Sequence, residues 1–336
     1  MSHKIQILIP CYNEEENIRH IVSEVDKYIR SLSYDYEFLF IDDGSTDGTY
    51  DAIADLSAKR CDINVIRLSR NFGKEGAITA GLDYCNRDNC DAAIFIDSDL
   101  QHPPNLIPAL IEEWERGAHI VDAVKIRRQR ENIVIRAMSL AFNMLMGALT
   151  GMDFEGSSDY KLLDRKAIDV LDRIQEKNRF FRGLTNWIGL KHSRIEFKVE
   201  ERKAGRTKWN WIKLFQLSID AITSYSSKPL QIVTLLGIFT LIFSIMLGLQ
   251  TLYNKLFGAA ISGFTTVILI VLIMCSIIMI SIGILGIYLS KVYNEVKNRP
   301  IYVVETLNPK RKLAKQGEEV EKSKRGEKTR GDANSS

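Results

Sequence analysis

The sequence predicts an α/β fold: a domain built on a mostly parallel β-sheet with helices on both faces, followed by a pair of membrane-spanning helices. Three observations predict it. Strand-like and helix-like segments alternate along the first two thirds of the 336 residues, the strand-like runs are almost continuously apolar, and two long runs near the C-terminus are free of charge. Apolar strands without polar alternation are buried on both faces, as in a parallel sheet covered by helices. With 46% hydrophobic and 26% charged residues the chain can bury one large or two modest cores.

KIQILIP reads as the first strand, ENIRHIVSEVDKYIRSL as an amphipathic helix and YEFLFID as the second strand. TYDAIADLSAKR is the next helix, with Thr46 or Asp47 expected to cap it. INVIRLS, EGAITAGLDYC and DAAIFID then read as strand, helix and strand.

PLQIVTLLGIFTLIFSIMLGL and FTTVILIVLIMCSIIMISIGILGIYL are each charge-free over the roughly 20 residues that cross a hydrocarbon core of about 30 Å as a helix. A buried hairpin of a soluble protein is the alternative, but its helices are seldom so long and uncharged. The short link from Tyr253 to Gly263 puts both outer ends on one side. Lys208, Lys213, Lys228, Lys291, Lys297, Arg299, Lys310, Arg311 and Lys312 flank the pair, against Lys255 in the link. The positive-inside rule therefore predicts an integral inner or plasma membrane protein with its N-terminal domain and both termini in the cytoplasm. No cleavable signal peptide is expected in KIQILIPC, a short run broken by proline. Cys11, Cys61, Cys85, Cys90 and Cys275 lack CxxC spacing and suit reduced thiols that serve packing.

The expected layout is a cytoplasmic domain over residues 1–208, within which 136–150 is a candidate interfacial helix, then a juxtamembrane amphipathic helix at 209–228. Membrane helices follow within 229–290, at about 229–252 and 264–290, then a cytoplasmic segment at 291–308 and a disordered charged tail at 309–336.

In parallel sheets ligands bind beyond the carboxyl ends of the strands, which directs attention to PCYNE, DDGSTD and DSD. Any one of these acids can be a helix cap, but several carboxylates converging on one rim repel unless a cation neutralises them. Hard oxygen ligands of this kind suit Mg²⁺ or Mn²⁺, which commonly bridge a carboxylate to substrate phosphates. His102 stands alone and reads as a polar rim residue. Neither GxGxxG nor GxxxxGK[ST] occurs, which argues against a nicotinamide dehydrogenase and a P-loop enzyme. A nucleoside diphosphate held through a metal on an Asp-x-Asp turn fits better.

IPCYNEEENI, FIDDGSTDGT, LSRNFGKEGAITAGL and IDSDLQHPP, in this order, resemble the catalytic domain of glycosyltransferase family 2, which has the GT-A fold. The closer resemblance is to its membrane-anchored polyprenyl-phosphate branch, which includes bactoprenol glucosyltransferases and is similar to dolichol-phosphate mannose synthases. It covers roughly Lys4 to Val304, the paired helices included. The resemblance implies donor-binding roles for Pro10, Tyr12 and Glu14 at the base and ribose, Asp42 at the base, and Asp43 near the ribose or diphosphate. Lys74 and Ser98 join that donor set, and Asp97, Asp99 and Gln101 are the implied ligands of Mg²⁺ or Mn²⁺. ERKAGRTKW matches the family's Arg-x-x-Gly-x-Ser-Lys segment through Arg202, Gly205, Thr207 and Lys208, with Thr in place of Ser. Arg202 and Lys208 are then expected at the diphosphate, with a basic face near anionic lipid as the alternative for Lys208.

Expected partners are a sugar nucleotide, a polyprenyl phosphate and the membrane, and no nucleic acid. A lipid monophosphate, with a second pKa of about 6, is already a good nucleophile near neutral pH. Single in-line displacement with inversion, and no strong general base, is therefore expected. Asp159 matches a position where the family often carries an acid near the acceptor; it is expected to orient the nucleophile or act as base, with a helix N-cap as the structural alternative. Arg127, Arg130 and Arg136 are candidates for the acceptor phosphate beside a Met-rich amphipathic stretch, and Trp209 and Trp211 mark a second interfacial stretch; either can instead pack in a core. Gly283 and Gly286 are open to two explanations, a homo-oligomer or helix packing within the chain. Among sugars, glucose from UDP-glucose is favoured, with GDP-mannose or a UDP-linked modified arabinose as alternatives. A processive synthase is disfavoured by the missing Gln-x-x-Arg-Trp motif, and a silent membrane adaptor by the intact Asp97, Asp99, Gln101 and Arg202.

Overall fold

The computed structural model describes residues 3–125, 144, 158–177, 179–197, 223, 228–257 and 263–308. The chain divides into two compact units, one drawn from Met1–Ile133, Phe154–Thr207 and Pro300–Ser336, the other from Val134–Asp153 and Lys208–Arg299.

In the first unit β1 (Lys4–Cys11), β2 (Asp35–Asp42), β3 (Ile63–Leu68) and β4 (Ala92–Phe95) are parallel. They are joined in order by α1 (Glu15–Ile29), α2 (Thr49–Lys59) and α3 (Lys74–Asp88). A 3₁₀ turn at Pro104–Leu106 leads into α4 (Ile107–Glu115), followed by β5 (Ile120–Lys125), β6 (Lys161–Asp164), α5 (Arg165–Arg173), α6 (Phe181–Trp187) and β7 (His192–Phe197). The last strand, β8 (Val304–Asn308), completes an eight-stranded sheet of order β7-β5-β6-β4-β1-β2-β3-β8. β6 is antiparallel to β4 and β5, and β8 to β3.

Burial explains the apolar runs. Leu8, Ile9 and all of Phe38–Ile41 are 0% exposed, so the central strands are covered on both faces. Ile18, Ile21, Val22, Val25 and Ile29 form the single buried stripe of α1, at the three- and four-residue spacing of an amphipathic helix. The chain runs outward from β1 through β2 to β3, then returns to β4 on the other side of β1. Right-handed crossovers then put α1 and α2 on one face and α3 on the other, opening a crevice at the carboxyl ends of β1 and β4.

Two local expectations resolve at helix starts. The N-cap of α2 is Gly48, which offers no side-chain cap; Asp47, one residue earlier, accepts Thr49 N–H at 3.0 Å through Oδ1, whereas Thr46 N–H donates to Asn13 Oδ1 at 2.9 Å. Asp159 is not an N-cap: strand β6 follows it, and Asp164 caps α5 by accepting Ala167 N–H at 2.8 Å. Residues 291–308 comprise the end of a helix that stops at Val296 and the edge strand β8. All five cysteines are free thiols.

The second unit contains α7 (Lys228–Leu256) and α8 (Phe264–Val296). Each offers a 27-residue span, Lys228–Asn254 and Ile270–Val296, with mean hydropathy 2.5 and 2.9. Both are long and apolar enough to cross a membrane, and neither is buried within the structure. A Cβ at Gly283 or Gly286 meets nothing within 4 Å among the described residues. The 209–228 stretch, the 136–150 stretch and the 309–336 tail lie outside the described residues, apart from Met144, Thr223 and Lys228.

Candidate active site

The exits of β1, β2 and β4 meet the start of α3 around a cleft of about 320 Å³. Pro10, Tyr12, Glu14, Asp43, Lys74, Asp97, Ser98 and Asp99 line it, so eight of the residues singled out by sequence converge there. The turns are tight. Asn13 and Leu100 adopt left-handed φ of 55° and 57°, and Gly44 has φ 67° where a Cβ would lie 2.4 Å from the Arg70 carbonyl carbon.

Asp43 pins the loop before α3: its two oxygens accept Phe72 N–H at 2.7 Å and Gly73 N–H at 2.9 Å. Burial raises its pKa in spite of those two donors. Asp42, expected at the base, is fully buried and does not line the cleft. Its Oδ1 accepts Ser45 N–H at 3.0 Å and its Oδ2 lies 3.6 Å from Arg67 Nε, so it supports the cleft from beneath.

On the β4 side, Asp97 N–H donates to His102 Nδ1 at 3.2 Å, and the His102 ring stacks on Tyr160 with centroids 5.0 Å apart. His102 is 3% exposed, so the expected rim residue is an internal brace of the Asp-x-Asp turn. Asp99 accepts Gln101 N–H at 3.0 Å and a second hydrogen bond from the Gln101 side-chain amide. Gln101 therefore clasps Asp99 and is not among the residues lining the cleft.

The largest departure from expectation concerns Asp159. Its carboxylate is clamped by Arg182, with Nε and Nη2 at 2.7 and 2.9 Å, and by Lys74 Nζ at 2.7 Å. Lys74 Nζ also reaches Asp97 Oδ1 at 2.6 Å, so one ammonium bridges the two acids. Burial alone raises the pKa of Asp159, but Arg182 and Lys74 outweigh it and hold the carboxyl well below the usual range. A carboxylate so tightly paired is a poor proton acceptor, and its contacts are those of an anchor for Arg182 and Lys74. Burial works against the Lys74 ammonium, yet Asp159 and Asp97 raise its pKa.

Sequence reasoning missed Arg182, which lies in NRFFRGL outside every motif, and Glu75. Glu75 Oε2 accepts Phe181 N–H at 2.9 Å, and burial pushes its carboxyl up to about 7 against that donor. The folded protein thus binds this proton more tightly than the unfolded chain, and stability falls as pH rises from about 4.5 to about 7. Glu75→Gln keeps the acceptor and removes the buried charge. It is expected to raise the thermal midpoint at pH 8 by about 2–6 °C and to leave it unchanged at pH 4, by calorimetry. Arg127, Arg130, Arg136, Arg202 and Lys208 lie outside the described residues.

The donor atoms fit a hard divalent cation only in part. Asp97 and Asp99 offer carboxylate oxygens at the cleft, while among the described residues no group of three or more His, Cys, Asp or Glu side chains converges. Such a pair suits Mg²⁺ or Mn²⁺ that completes its shell with water and phosphate oxygens.

A doubly covered α/β sheet with paired acidic turns and a cation at the carboxyl ends of its central strands defines a GT-A-like glycosyltransferase. The family model described as "Glycosyl transferase family 2" matches residues 6–183, and the chain belongs to that family. Among its relatives, the uncharacterized glycosyltransferase YkcC of Bacillus subtilis is 37% identical over 91% of this chain and 95% of its own length. The SfII prophage-derived bactoprenol glucosyl transferase of Shigella flexneri is 34% identical over 90% of this chain and 97% of its own. A crystal structure of glucosyl-3-phosphoglycerate synthase from Mycobacterium tuberculosis, in complex with Mn²⁺, UDP-Glc and phosphoglyceric acid, aligns with 66% of this chain and 78% of its own at 20% identity and TM-score 0.44.

Proposed function

We propose that this glycosyltransferase moves a hexose, glucose from UDP-glucose in the first instance, onto a polyprenyl phosphate at the cytoplasmic face of the membrane, with inversion at the anomeric carbon. The observation that carries this reading is the chain order. Two helices long enough to cross a membrane are inserted between β7 and β8, two strands of the sheet whose central strand ends form the acidic cleft. If both helices cross, the outer ends of the hairpin lie on one side of the bilayer, and that side is the one with the catalytic unit. The flanking lysines and arginines favour the cytoplasm for it. The bactoprenol relative supports a lipid phosphate as acceptor.

In this reading Asp97 and Asp99 hold Mg²⁺ or Mn²⁺, which when bound neutralises the leaving diphosphate. Tyr12, Glu14, Asp43 and Ser98 surround the nucleotide. Lys74 stands between Asp97 and Asp159, 42% exposed, where its ammonium meets negative charge that grows as the glycosidic bond breaks. Asp159 and Arg182 keep that lysine in place. The acceptor phosphate brings its own negative charge, so attack needs alignment more than deprotonation. Arg127, Arg130 and Arg136 are proposed to receive that phosphate, and Arg202 with Lys208 the diphosphate.

The test is a panel of radiolabelled UDP-glucose, GDP-mannose and UDP-linked modified arabinose, each offered with undecaprenyl phosphate and scored for label in the lipid phase. Label from UDP-glucose is expected; label only from another donor reassigns the sugar, and no lipid label from any of them overturns the reading.

A further inference from the structure

We propose that Glu305, on the strand that follows the hairpin, is a positioning residue for the nucleotide half of the cleft, acting through Arg67, Asp42, Ser45 and Asn13. The inference rests on the sugar-nucleotide reading above. β8 is fastened to the edge of the sheet not only by its pairing with β3. Ser69 N–H also donates to the Val303 carbonyl at 2.9 Å, and the Tyr302 hydroxyl to Asp83 Oδ2 at 2.6 Å. That seating brings Glu305 Oε2 to 3.2 Å from Arg67 Nε, while the Arg67 guanidinium lies 4.6 Å over the Tyr50 ring.

From Arg67 the network continues inward. Its Nε faces Asp42 Oδ2 at 3.6 Å, Asp42 Oδ1 accepts Ser45 N–H at 3.0 Å, and Ser45 Oγ accepts Asn13 N–H at 3.0 Å. Asn13 holds the left-handed turn between Tyr12 and Glu14, both of which line the cleft. A continuous set of contacts thus links the strand after the hairpin to the loop proposed to hold the base and ribose.

The weak point is at Asp42. Its Oδ2 and Arg67 Nε are shut from solvent and make no hydrogen bond among the described residues, so charge alone joins them. Two acids, Glu305 and Asp42, share one guanidinium edge. With Glu305 neutralised, Arg67 is free to close on Asp42 and draw its carboxylate off Ser45, because an ionised partner makes the stronger hydrogen bond. Asn13 then loses its support, and the Tyr12–Glu14 loop loosens. Because Glu305 is 52% exposed, its replacement leaves the core untouched and has little direct cost in stability.

The experiment uses the full chain in lipid nanodiscs. Binding of the donor that the wild type accepts, UDP-glucose or GDP-mannose, is measured by calorimetry with Mn²⁺, beside KM for donor and for undecaprenyl phosphate and the thermal midpoint without nucleotide. Glu305→Gln is expected to raise the donor Kd and KM about three- to tenfold, with the lipid KM and the midpoint unchanged; Glu305→Asp, which keeps the charge, is expected to recover part of the loss. Wild-type donor affinity in Glu305→Gln, or a parallel rise in both KM values, overturns the proposal. A wild-type chain that binds no sugar nucleotide overturns the donor reading itself, and the positioning role with it.

Discussion

Asp99→Asn is expected to lower kcat/KM about a thousandfold or more, equivalent to about 4 kcal/mol of transition-state stabilisation, while leaving the thermal midpoint close to that of the wild type. The side chain is exposed at the cleft and contacts only Gln101 among the hydrogen bonds described, so little of the fold depends on it. In the proposed reaction its carboxylate helps hold the metal that neutralises diphosphate charge. An amide offers a weaker oxygen ligand with no charge, and the loss is expected to be partly offset by raising the Mn²⁺ concentration. Steady-state kinetics over a metal titration check this. A variant with near-normal turnover at all metal concentrations removes Asp99 from the metal site.

Asp159→Asn is expected to act on both folding and turnover. It leaves Arg182 and Lys74 facing a neutral amide, and because both cations are partly exposed the loss of their charged hydrogen bonds is expected to cost about 1–3 kcal/mol. The sign with pH follows from the depressed pKa. The stabilisation from the ionised carboxylate is complete above the ordinary Asp value and is lost as pH falls below about 4, so the gap between variant and wild type is expected to narrow there. Turnover is expected to drop about a hundredfold because Lys74 loses one of its two anchors. The pH profile separates anchoring from base catalysis. Between pH 5 and 9 Asp159 is ionised throughout, so no limb of the wild-type kcat/KM profile belongs to it; a limb present in the wild type and missing in the variant restores the base.

The parts of the fold legible in the sequence were those where burial leaves a one-dimensional trace. β1 to β4 are covered on both faces and read as apolar runs, and α1 presents its stripe at helical spacing. β8 left no such trace because VETLN is an edge strand with Val304 and Leu307 partly exposed. β6 was obscured by Lys161, a fully buried lysine whose burial depends on Asp122 at 2.9 Å, a partner 39 positions earlier that no local pattern reveals. The cleft followed the same division. Acidic turns at strand ends announced Asp43, Asp97 and Asp99, and the motif around Lys74 placed it on the donor side. Arg182 was invisible because what singles it out is its distance to Asp159, 23 residues earlier, with β6 and α5 between them. His102 was misjudged for a related reason: Tyr160, on which it stacks, is 58 residues downstream.

In the proposed reaction the nucleophile reaches this cleft already charged, as a lipid phosphate, so that the protein holds the leaving group and aligns the acceptor without a strong base. The most direct measurement compares undecaprenyl phosphate with undecaprenol, the same lipid lacking the phosphate, as acceptors for the labelled donor in the full-length protein. Transfer to the phosphate with inverted anomeric configuration, and none to the alcohol, is the predicted result. Comparable transfer to the alcohol, or retention of configuration in the product, contradicts it.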